Sequence, residues 1–425
     1  MGVALAEQDR RMLSGREGEA DRFAMSVIVR MADVLGAKEL ISIEQAHLDA
    51  CALMSDSSLQ FIRHIVEHGG TVRVPTTLNM VSLDLKAWRE QGVPDAFGEQ
   101  AMEIADAYQQ LGAVPTWTCA PYQGYLTPRF GQQIAWGESN AVAYANSVLG
   151  ARTNRYADYM DVCAAITGRV PYHGLHCENE RGGSILVRLE RIRSSVWEHP
   201  AAWAALGHLL GNRCGSAIPV VEGLPSRATS DQLKALFAAA ASSGGIALCH
   251  LVGITPEAQT HDAAFLGRAP GSSVLVGPEQ LQTSWEELSS ASIGESLDAV
   301  ILGCPHCSYH EFETIIREID ALGGARVSDR VRLLIISSAP MVALAERKGW
   351  INRLEAFGAV LVHDTCPFHS PIVPKDAKTI ATDSGKCAYY APGELDVRVS
   401  FTTTRECIRS AVRGKVVCEE FPWSA

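Results

Sequence analysis

The feature that most constrains the fold is an alternation of short apolar runs with helical patterns between about residues 215 and 380. The apolar runs have the length of strands, and they read IALCHLVG (246–253), DAVILG (298–303), VRLLIIS (331–337) and AVLVHD (359–364). Strands that alternate with helices predict a parallel sheet with helices on both faces. We therefore expect an α/β fold with a ligand crevice outside the carboxyl ends of its strands.

The sequence before this region predicts further elements and a division into three units. Helices are expected around 23–36, 56–70, 139–150 and 160–168, and strands at 71–74 (TVRV) and 113–118. The predicted units are a helical segment at 1–74, an α/β unit at 75–218 and a second α/β unit at 219–425. The resulting fold class is an α/β architecture of several units with parallel sheets.

The composition argues against several functional classes. The 425 residues include 37 basic and 48 acidic side chains, and the net charge of −11 argues against a nucleic-acid-binding surface. No apolar run approaches the roughly 20 residues that span a bilayer. The N-terminal sequence becomes charged before a signal-peptide core could form. We therefore expect a cytoplasmic protein whose twelve cysteines are not a disulfide scaffold.

Three cysteines lie where a predicted strand runs out into a loop. Cys119 follows TWT, Cys304 follows VILG and Cys366 follows VLVHDT. Because the carboxyl ends of parallel strands meet at one crevice, these thiols can gather there. Three thiolates can hold three iron corners of an iron–sulfur cluster and leave one position for a substrate.

Two other arrangements of metal ligands are open at this point. Cys304 and Cys307 form a C-x-x-C beside His306 and His310, which could bind zinc, although no second C-x-x-C completes such a site. The set Cys304, Cys307 and Cys366 would also provide three thiolates. Neither spacing nor periodicity chooses between Cys119 and Cys307.

Polar residues near the same strand ends are candidates for substrate contacts. Arg152 suits bidentate capture of a carboxylate, and Ser384 and Lys386 offer a hydroxyl and an ammonium beside a turn in TDSGK (382–386). These three are the predicted catalytic residues. The predicted substrate-binding residues are the hydroxyl, amide, carboxylate and guanidinium groups of Thr76, Thr77, Asn79, Glu138, Ser139, Asn140, Thr153 and Arg155. Ser139 is also the expected N-cap of a helix.

With these residues in place, the chain resembles the large subunit of the aconitase X family from about residue 7 onward. The longest carrier is RFGQQIAWGESNAVAYANSVLGARTNR, and the shorter ones are PTTLN, TCAPY, GCPH, DTC and TDSGK. Mainstream aconitases are less similar, because in them a lone cysteine precedes the C-x-x-C, whereas here the lone Cys366 follows it. The resemblance therefore favours Cys119, Cys304 and Cys366 as the ligands.

The resemblance implies an iron–sulfur hydro-lyase of aconitase-like architecture, with a [2Fe–2S] or a [4Fe–4S] type of cluster. Bacterial members dehydrate cis-3-hydroxy-L-proline to Δ1-pyrroline-2-carboxylate, and archaeal members dehydrate 5-phosphomevalonate. In that chemistry Arg152 and Lys386 would hold the substrate carboxylate, while Thr77, Asn79 and Ser139 would orient the substrate.

The resemblance also implies a partner. In the family a smaller swivelling unit, fused or separate, carries a serine proposed as the base, and the sequence leaves no room for it between TDSGK and Ala425. We therefore expect a separate small subunit. The single anion clamp and the segments GCPHCSYHE and DTCPFHS favour hydroxyproline as substrate. The alternative from another class is a non-catalytic iron or redox sensor that binds a cluster.

Overall fold

Fourteen short strands form within residues 2–418, which are the residues that the computed structural model describes. In chain order they are β1 (Leu40–Ser42), β2 (Ala46–Leu48), β3 (Thr76–Leu78), β4 (Ala135–Trp136), β5 (Arg169–Pro171), β6 (Ile185–Leu189), β7 (Pro219–Glu222), β8 (His250–Leu251), β9 (Ser272–Val276), β10 (Ala299–Leu302), β11 (Arg332–Ser337), β12 (Ala359–His363), β13 (Thr379–Thr382) and β14 (Arg398–Phe401).

Fifteen α-helices connect and cover these strands within the same residues. They are α1 (Glu7–Leu13), α2 (Glu19–Leu35), α3 (Asp56–Glu67), α4 (Asp95–Gln110), α5 (Ser139–Tyr144), α6 (Met160–Thr167), α7 (Pro200–Cys214), α8 (Ser230–Ser243), α9 (His261–Ala264), α10 (Pro278–Glu287), α11 (Tyr309–Asp320), α12 (Ala339–Arg347), α13 (Trp350–Phe357), α14 (Gly385–Leu395) and α15 (Thr404–Arg413). A π-helical turn at Ala145–Leu149 continues α5.

The largest sheet consists of five parallel strands in the order β12-β11-β10-β13-β14. Side chains alternate between its faces: Ile301 packs into one hydrophobic cluster with residues of α8 and α14, and Val300 packs into another with residues of α11 and α13. Both faces of β10, β11 and β13 are thus buried, which explains why the sequence shows continuous apolar runs there. The prediction of a parallel sheet with helices on both faces is confirmed.

Two further parallel sheets precede it. One has the strand order β3-β2-β4, and the other has the order β8-β7-β6-β9. A small antiparallel pair joins β1 to β5. Helices α7 and α8 pack against each other, and α14 also packs against α8. The segments that follow β10, β12 and β13 contact loops of the β3-β2-β4 sheet, through His306 and Cys119, Thr365 and Val81, and Lys386 and Glu138.

Several local predictions need correction. The predicted strand at 71–74 forms instead at β3, because the backbone of 76–78 pairs with β2. The predicted strand at 113–118 is reduced to a single bridge between Val114 and Thr77. The N-terminal segment, expected to be helical, also contains β1 and β2. Glu138, rather than Ser139, is the N-cap of α5.

The sheets also cross the predicted limits between units. Strands β2 and β3 pair across the predicted limit after residue 74, and β6 and β7 pair across the one after residue 218.

No helix within residues 2–418 has the length and the apolar character needed to cross a membrane.

Candidate active site

Three cysteine-bearing loops meet at one cavity of about 320 Å³. Cys119 follows a segment held to β3 by a hydrogen bond from the Thr118 amide to the Leu78 carbonyl at 3.1 Å. Cys304 follows β10 and Cys366 follows β12, and all three side chains line the cavity. The turn before Cys304 needs glycine, because Gly303 has φ +95° and a Cβ there would lie 2.0 Å from the Ile336 carbonyl oxygen.

The three thiols differ in how readily they lose a proton. Burial raises the pKa of Cys119 to about 12. At Cys304, a hydrogen bond from Cys387 and the nearby Lys386 ammonium outweigh burial and lower the pKa of the thiol. Burial and then the charge of Cys304 raise the pKa of Cys366. Cys304 is therefore the thiol most easily ionised, and ligation by a metal would deprotonate all three.

Cys307 lies outside this cavity. It is 2% exposed and packs into the hydrophobic cluster on the face of the large sheet that α11 covers. Within residues 2–418, no three Cys, His, Asp or Glu side chains converge as ligands of a single metal ion, and His310 is 77% exposed. Cys307 therefore does not share the cavity with Cys304 and Cys366, and the choice between the ligand sets stays a prediction.

The donors that line the cavity fit an iron–sulfur cluster. One zinc ion needs every ligand within about 2.3 Å of one point, whereas an iron–sulfur cluster takes each thiolate at a different iron. Three free thiols from separate loops, with a buried ammonium beside them at Lys386, match the donors and the countercharge of such a group. That they bind a cluster stays a prediction.

A buried ion pair forms the wall next to the cysteines. The Lys386 ammonium lies 2.6 Å from Glu138 Oε1, and Asn140 donates its amide N–H and side-chain N–H to the same oxygen at 3.1 and 2.7 Å. Burial by itself would raise the pKa of Glu138, but Lys386 and these donors lower it to about 2. Glu138 is thus an ionised carboxylate, and Lys386 forms an ion pair with it.

Asp49 also lines the cavity and was not predicted from the sequence. Asn79 bridges it to Glu138, because the Asn79 amide contacts Asp49 Oδ1 and lies 3.3 Å from Glu138 Oε2. Burial, followed by the charges of Glu138, Asp158 and Asp161, raises the pKa of Asp49 well above its usual value. The Asp49 carboxyl therefore holds its proton more tightly than an exposed aspartate does.

The two arginines of ARTNR have different surroundings. Arg152 is buried away from the cavity, where it donates to both carboxylate oxygens of Glu178 at 3.0 and 2.9 Å and lies 3.2 Å from Glu257. The predicted clamp of Arg152 with Lys386 is thus not formed. Arg155 is exposed at the cavity lining and donates to the Ala241 carbonyl at 3.2 Å.

The other predicted residues build the surroundings of the cavity. Ser139 lines it directly. The Ser384 hydroxyl contacts the Cys304 carbonyl and caps α14. Hydrogen bonds within the fold hold the side chains of Thr76, Thr77, Asn140 and Thr153. Their roles toward a substrate stay predictions.

A helical spacing of four brings further residues to the cavity that the sequence predictions missed. Lys386, Tyr390 and Glu394 lie on one face of α14, and all three line the cavity. His369, three residues after Cys366, lines it as well, and burial followed by the Lys386 charge lowers its pKa. The i, i+4, i+8 pattern was the available signal for the α14 residues.

Family models match successive parts of the chain. The model described as Aconitase X first domain matches residues 2–179, the second-domain model matches 183–286 and the third-domain model matches 297–413. Together they cover most of the chain.

Individual proteins match over nearly the whole chain. A cis-3-hydroxy-L-proline dehydratase of Pseudomonas aeruginosa is 45% identical over 97% of this chain and 71% of its own length. A phosphomevalonate dehydratase large subunit of Methanocaldococcus jannaschii is 33% identical over 95% of this chain and 99% of its own length. The crystal structure of Thermococcus kodakaraensis aconitase X in its holo-form is similar with a TM-score of 0.85, at 31% identity, and covers 96% of this chain and 100% of that one.

Proposed function

The chain belongs to the aconitase X family, and we propose that it is the large subunit of an iron–sulfur hydro-lyase that dehydrates cis-3-hydroxy-L-proline. The reaction removes the proton on C2 and the hydroxyl on C3 as water. The enamine that results becomes Δ1-pyrroline-2-carboxylate when a proton moves from nitrogen to C3. A relative that is 45% identical over 97% of the chain bears the name of this activity.

The charges that line the cavity carry the choice of substrate. The lining includes the carboxyl groups of Asp49, Glu138 and Glu394 and the cations of Arg155 and Lys386. Glu138 offsets the Lys386 charge at 2.6 Å, so Arg155 is the cation of this lining that remains for a substrate anion, which suits a single carboxylate. A phosphorylated substrate carries close to two more negative charges, and this cavity has no excess of cations to meet them.

Cys119, Cys304 and Cys366 are the residues that would hold an iron–sulfur cluster. Its type, [2Fe–2S] or [4Fe–4S], is not fixed by three thiolates. When bound, such a cluster supplies a Lewis acid for the leaving hydroxyl, a role worth several kcal/mol in metal catalysis.

The chain's own residues bind and orient the substrate in this proposal. Arg155 receives the substrate carboxylate, because its guanidinium lines the cavity without a carboxylate partner among residues 2–418. Glu138, fixed by Lys386, faces the ring ammonium. Asp49 lines the cavity beside Glu138, and in the protonated form that its raised pKa favours it would donate a hydrogen bond to the departing hydroxyl.

We also propose that the chain acts with a small subunit in the cytoplasm. The Methanocaldococcus jannaschii relative, named a large subunit, is matched over 99% of its length. Arg155 and Glu394 are exposed at the cavity, where a second protein can cover them. The twelve cysteines are free thiols, which agrees with a reducing compartment.

The test is a substrate comparison on the chain purified anaerobically with the small subunit. Pyrroline-2-carboxylate, trapped with o-aminobenzaldehyde, should form from cis-3-hydroxy-L-proline. It should not form from the trans-4-hydroxy isomer, which has no hydroxyl β to the acidic C2 proton. Dehydration of 5-phosphomevalonate without reaction of the proline would contradict the substrate and leave the hydro-lyase class intact. An iron–sulfur protein that acts on neither would favour the sensor alternative.

A further inference from the structure

One residue, His306, contacts all three of the cysteine-bearing segments. Its backbone N–H donates to Cys119 Sγ at 3.3 Å, and its ring Nε2 lies 2.8 Å from the carbonyl oxygen of Thr365, the residue before Cys366. His306 itself lies two residues after Cys304 and is 2% exposed. It therefore links loops that come from two different sheets.

The carbonyl of His306 is held as firmly as its ring. The Lys234 ammonium donates to this oxygen at 3.1 Å, and the Gln123 amide donates to it at 3.3 Å. Lys234 is 3% exposed and pairs with Glu311, the residue that completes the capping box of α11. The peptide at His306 is thus fixed from the Cys119 loop on one side and from α8 and α11 on the other.

These contacts also decide the state of the ring nitrogens. A carbonyl oxygen only accepts hydrogen bonds, so Nε2 must carry the hydrogen that it shares with Thr365. Nδ1 then has a lone pair, and this buried atom has no hydrogen-bond partner among residues 2–418. His306 lines the cavity, and buried polar atoms normally have a hydrogen-bond partner, so a molecule bound in the cavity can supply one for Nδ1.

We propose that His306 is a positioning residue for the three cysteines and that its Nδ1 accepts a hydrogen bond from an N–H or O–H group of the substrate. This inference rests on the proposed function. The ring link to Thr365 holds the Cys304 and Cys366 segments together. The backbone N–H, which no side-chain substitution removes, holds Cys119.

Two substitutions separate the two roles of the ring. In His306→Gln, the side-chain amide N–H can still reach Thr365, but the acceptor at the position of Nδ1 is lost. In His306→Asn, an oxygen can occupy the position of Nδ1, but the link to Thr365 is lost. His306→Ala loses both.

His250 offers a matched control away from the site. It is also 2% exposed, its Nε2 lies 2.7 Å from the Arg181 carbonyl, and its Nδ1 is buried without a partner among residues 2–418. It does not line the cavity. His250→Gln therefore makes the same change in hydrogen bonding at a buried histidine that does not line the cavity.

The experiment measures iron and acid-labile sulfide per chain, the visible circular dichroism spectrum, and kcat and KM per bound cluster in the presence of the small subunit. We expect wild type, His250→Gln and His306→Gln to hold equal amounts of cluster. His306→Asn and His306→Ala should lose most of it on anaerobic gel filtration. Per cluster, His306→Gln should be slower by about tenfold, as expected for one lost hydrogen bond beside the reacting atoms.

Full cluster content and an unchanged spectrum in His306→Ala would overturn the positioning role. Wild-type kinetics per cluster in His306→Gln would overturn the acceptor role. A wild-type protein that binds no iron or sulfide would instead contradict the proposed function, so the two failures are distinguishable.

Discussion

Replacing Arg155 with glutamine is expected to lower activity and leave stability unchanged, whereas replacing Arg152 with glutamine is expected to lower stability and leave activity unchanged. Arg155 has no carboxylate partner within residues 2–418, so Arg155→Gln removes little from the fold. Its loss removes a charge-assisted hydrogen bond to the substrate carboxylate, which is worth about 1.5–3 kcal/mol. We expect kcat/KM to fall roughly 10- to 100-fold and the melting temperature to stay unchanged.

Arg152→Gln should instead weaken the protein. The guanidinium pairs with Glu178 and Glu257 and lies 5.0 Å from the centre of the Phe130 ring. Glu178 is 70% exposed and can return to water, and Glu257 keeps Arg181 at 2.5 Å. The cost is therefore below the roughly 3–5 kcal/mol of a broken buried pair, at about 2 kcal/mol.

The assay compares melting temperature and kcat/KM for both variants, each purified with the small subunit. For a unit of the size matched by the first-domain family model, residues 2–179, about 2 kcal/mol corresponds to a fall of roughly 4–8 °C in melting temperature. Arg152→Gln should show that fall, with kcat/KM close to wild type at a temperature well below the transition. A wild-type melting temperature combined with a large loss of kcat/KM in Arg152→Gln would refute this reasoning and return Arg152 to the substrate.

Three further predictions concern the metal, the junction between sheets and the partner. Replacing Cys119, Cys304 or Cys366 with serine should abolish the brown chromophore and the activity, whereas Cys307→Ser and Cys163→Ser should keep both; a coloured, active Cys119→Ser variant would contradict the proposed ligand set. Burial would raise the pKa of Asp84, but hydrogen bonds from His363 and neighbouring backbone donors lower it to about 2 from 3.8. The stabilisation by Asp84 is therefore fully present above its unfolded pKa and is lost as the pH falls toward 2. The difference in urea stability between wild type and Asp84→Asn should be largest near neutral pH and should narrow in acid; a difference that is constant with pH would contradict the assignment. The chain alone should turn over poorly and gain activity on addition of the small subunit, since the family places its proposed base there, and full activity of the isolated chain would locate the base within it.

The sequence predicted the large sheet because its central strands β10 and β11 are buried on both faces and its edge strand β12 is partly buried. DAVILG, VRLLIIS and AVLVHD are continuous apolar runs, and they became β10, β11 and β12. The strands of the first sheet are two or three residues long, and their position depends on pairing partners that are distant in sequence. The sequence alone therefore predicted the strand at TVRV (71–74), whereas in the structure residues 76–78 form the strand that pairs with β2.

At the candidate site, too, features set by the local sequence were predicted, and features that depend on distant segments were not. Cys304 and Cys366 were predicted at strand ends and do follow β10 and β12, whereas Cys119 follows a segment that forms a single bridge between Val114 and Thr77. The sequence could not predict which arginine of ARTNR lines the cavity, because Arg152 is drawn away from it by carboxylates of other segments, Glu178 and Glu257. Asp49 was missed because it follows β2, in a stretch that was expected to be helical.

The cysteine loops are held in place by contacts that need no cofactor. A β-bridge joins Val81 to Thr365, and the Val81 amide donates to the Asp364 carbonyl at 2.9 Å. Asp84 accepts hydrogen bonds from both the backbone and the ring of His363 at 3.0 and 2.9 Å. These contacts between the segments that follow β3 and β12 share in the entropic cost of bringing two sheets together.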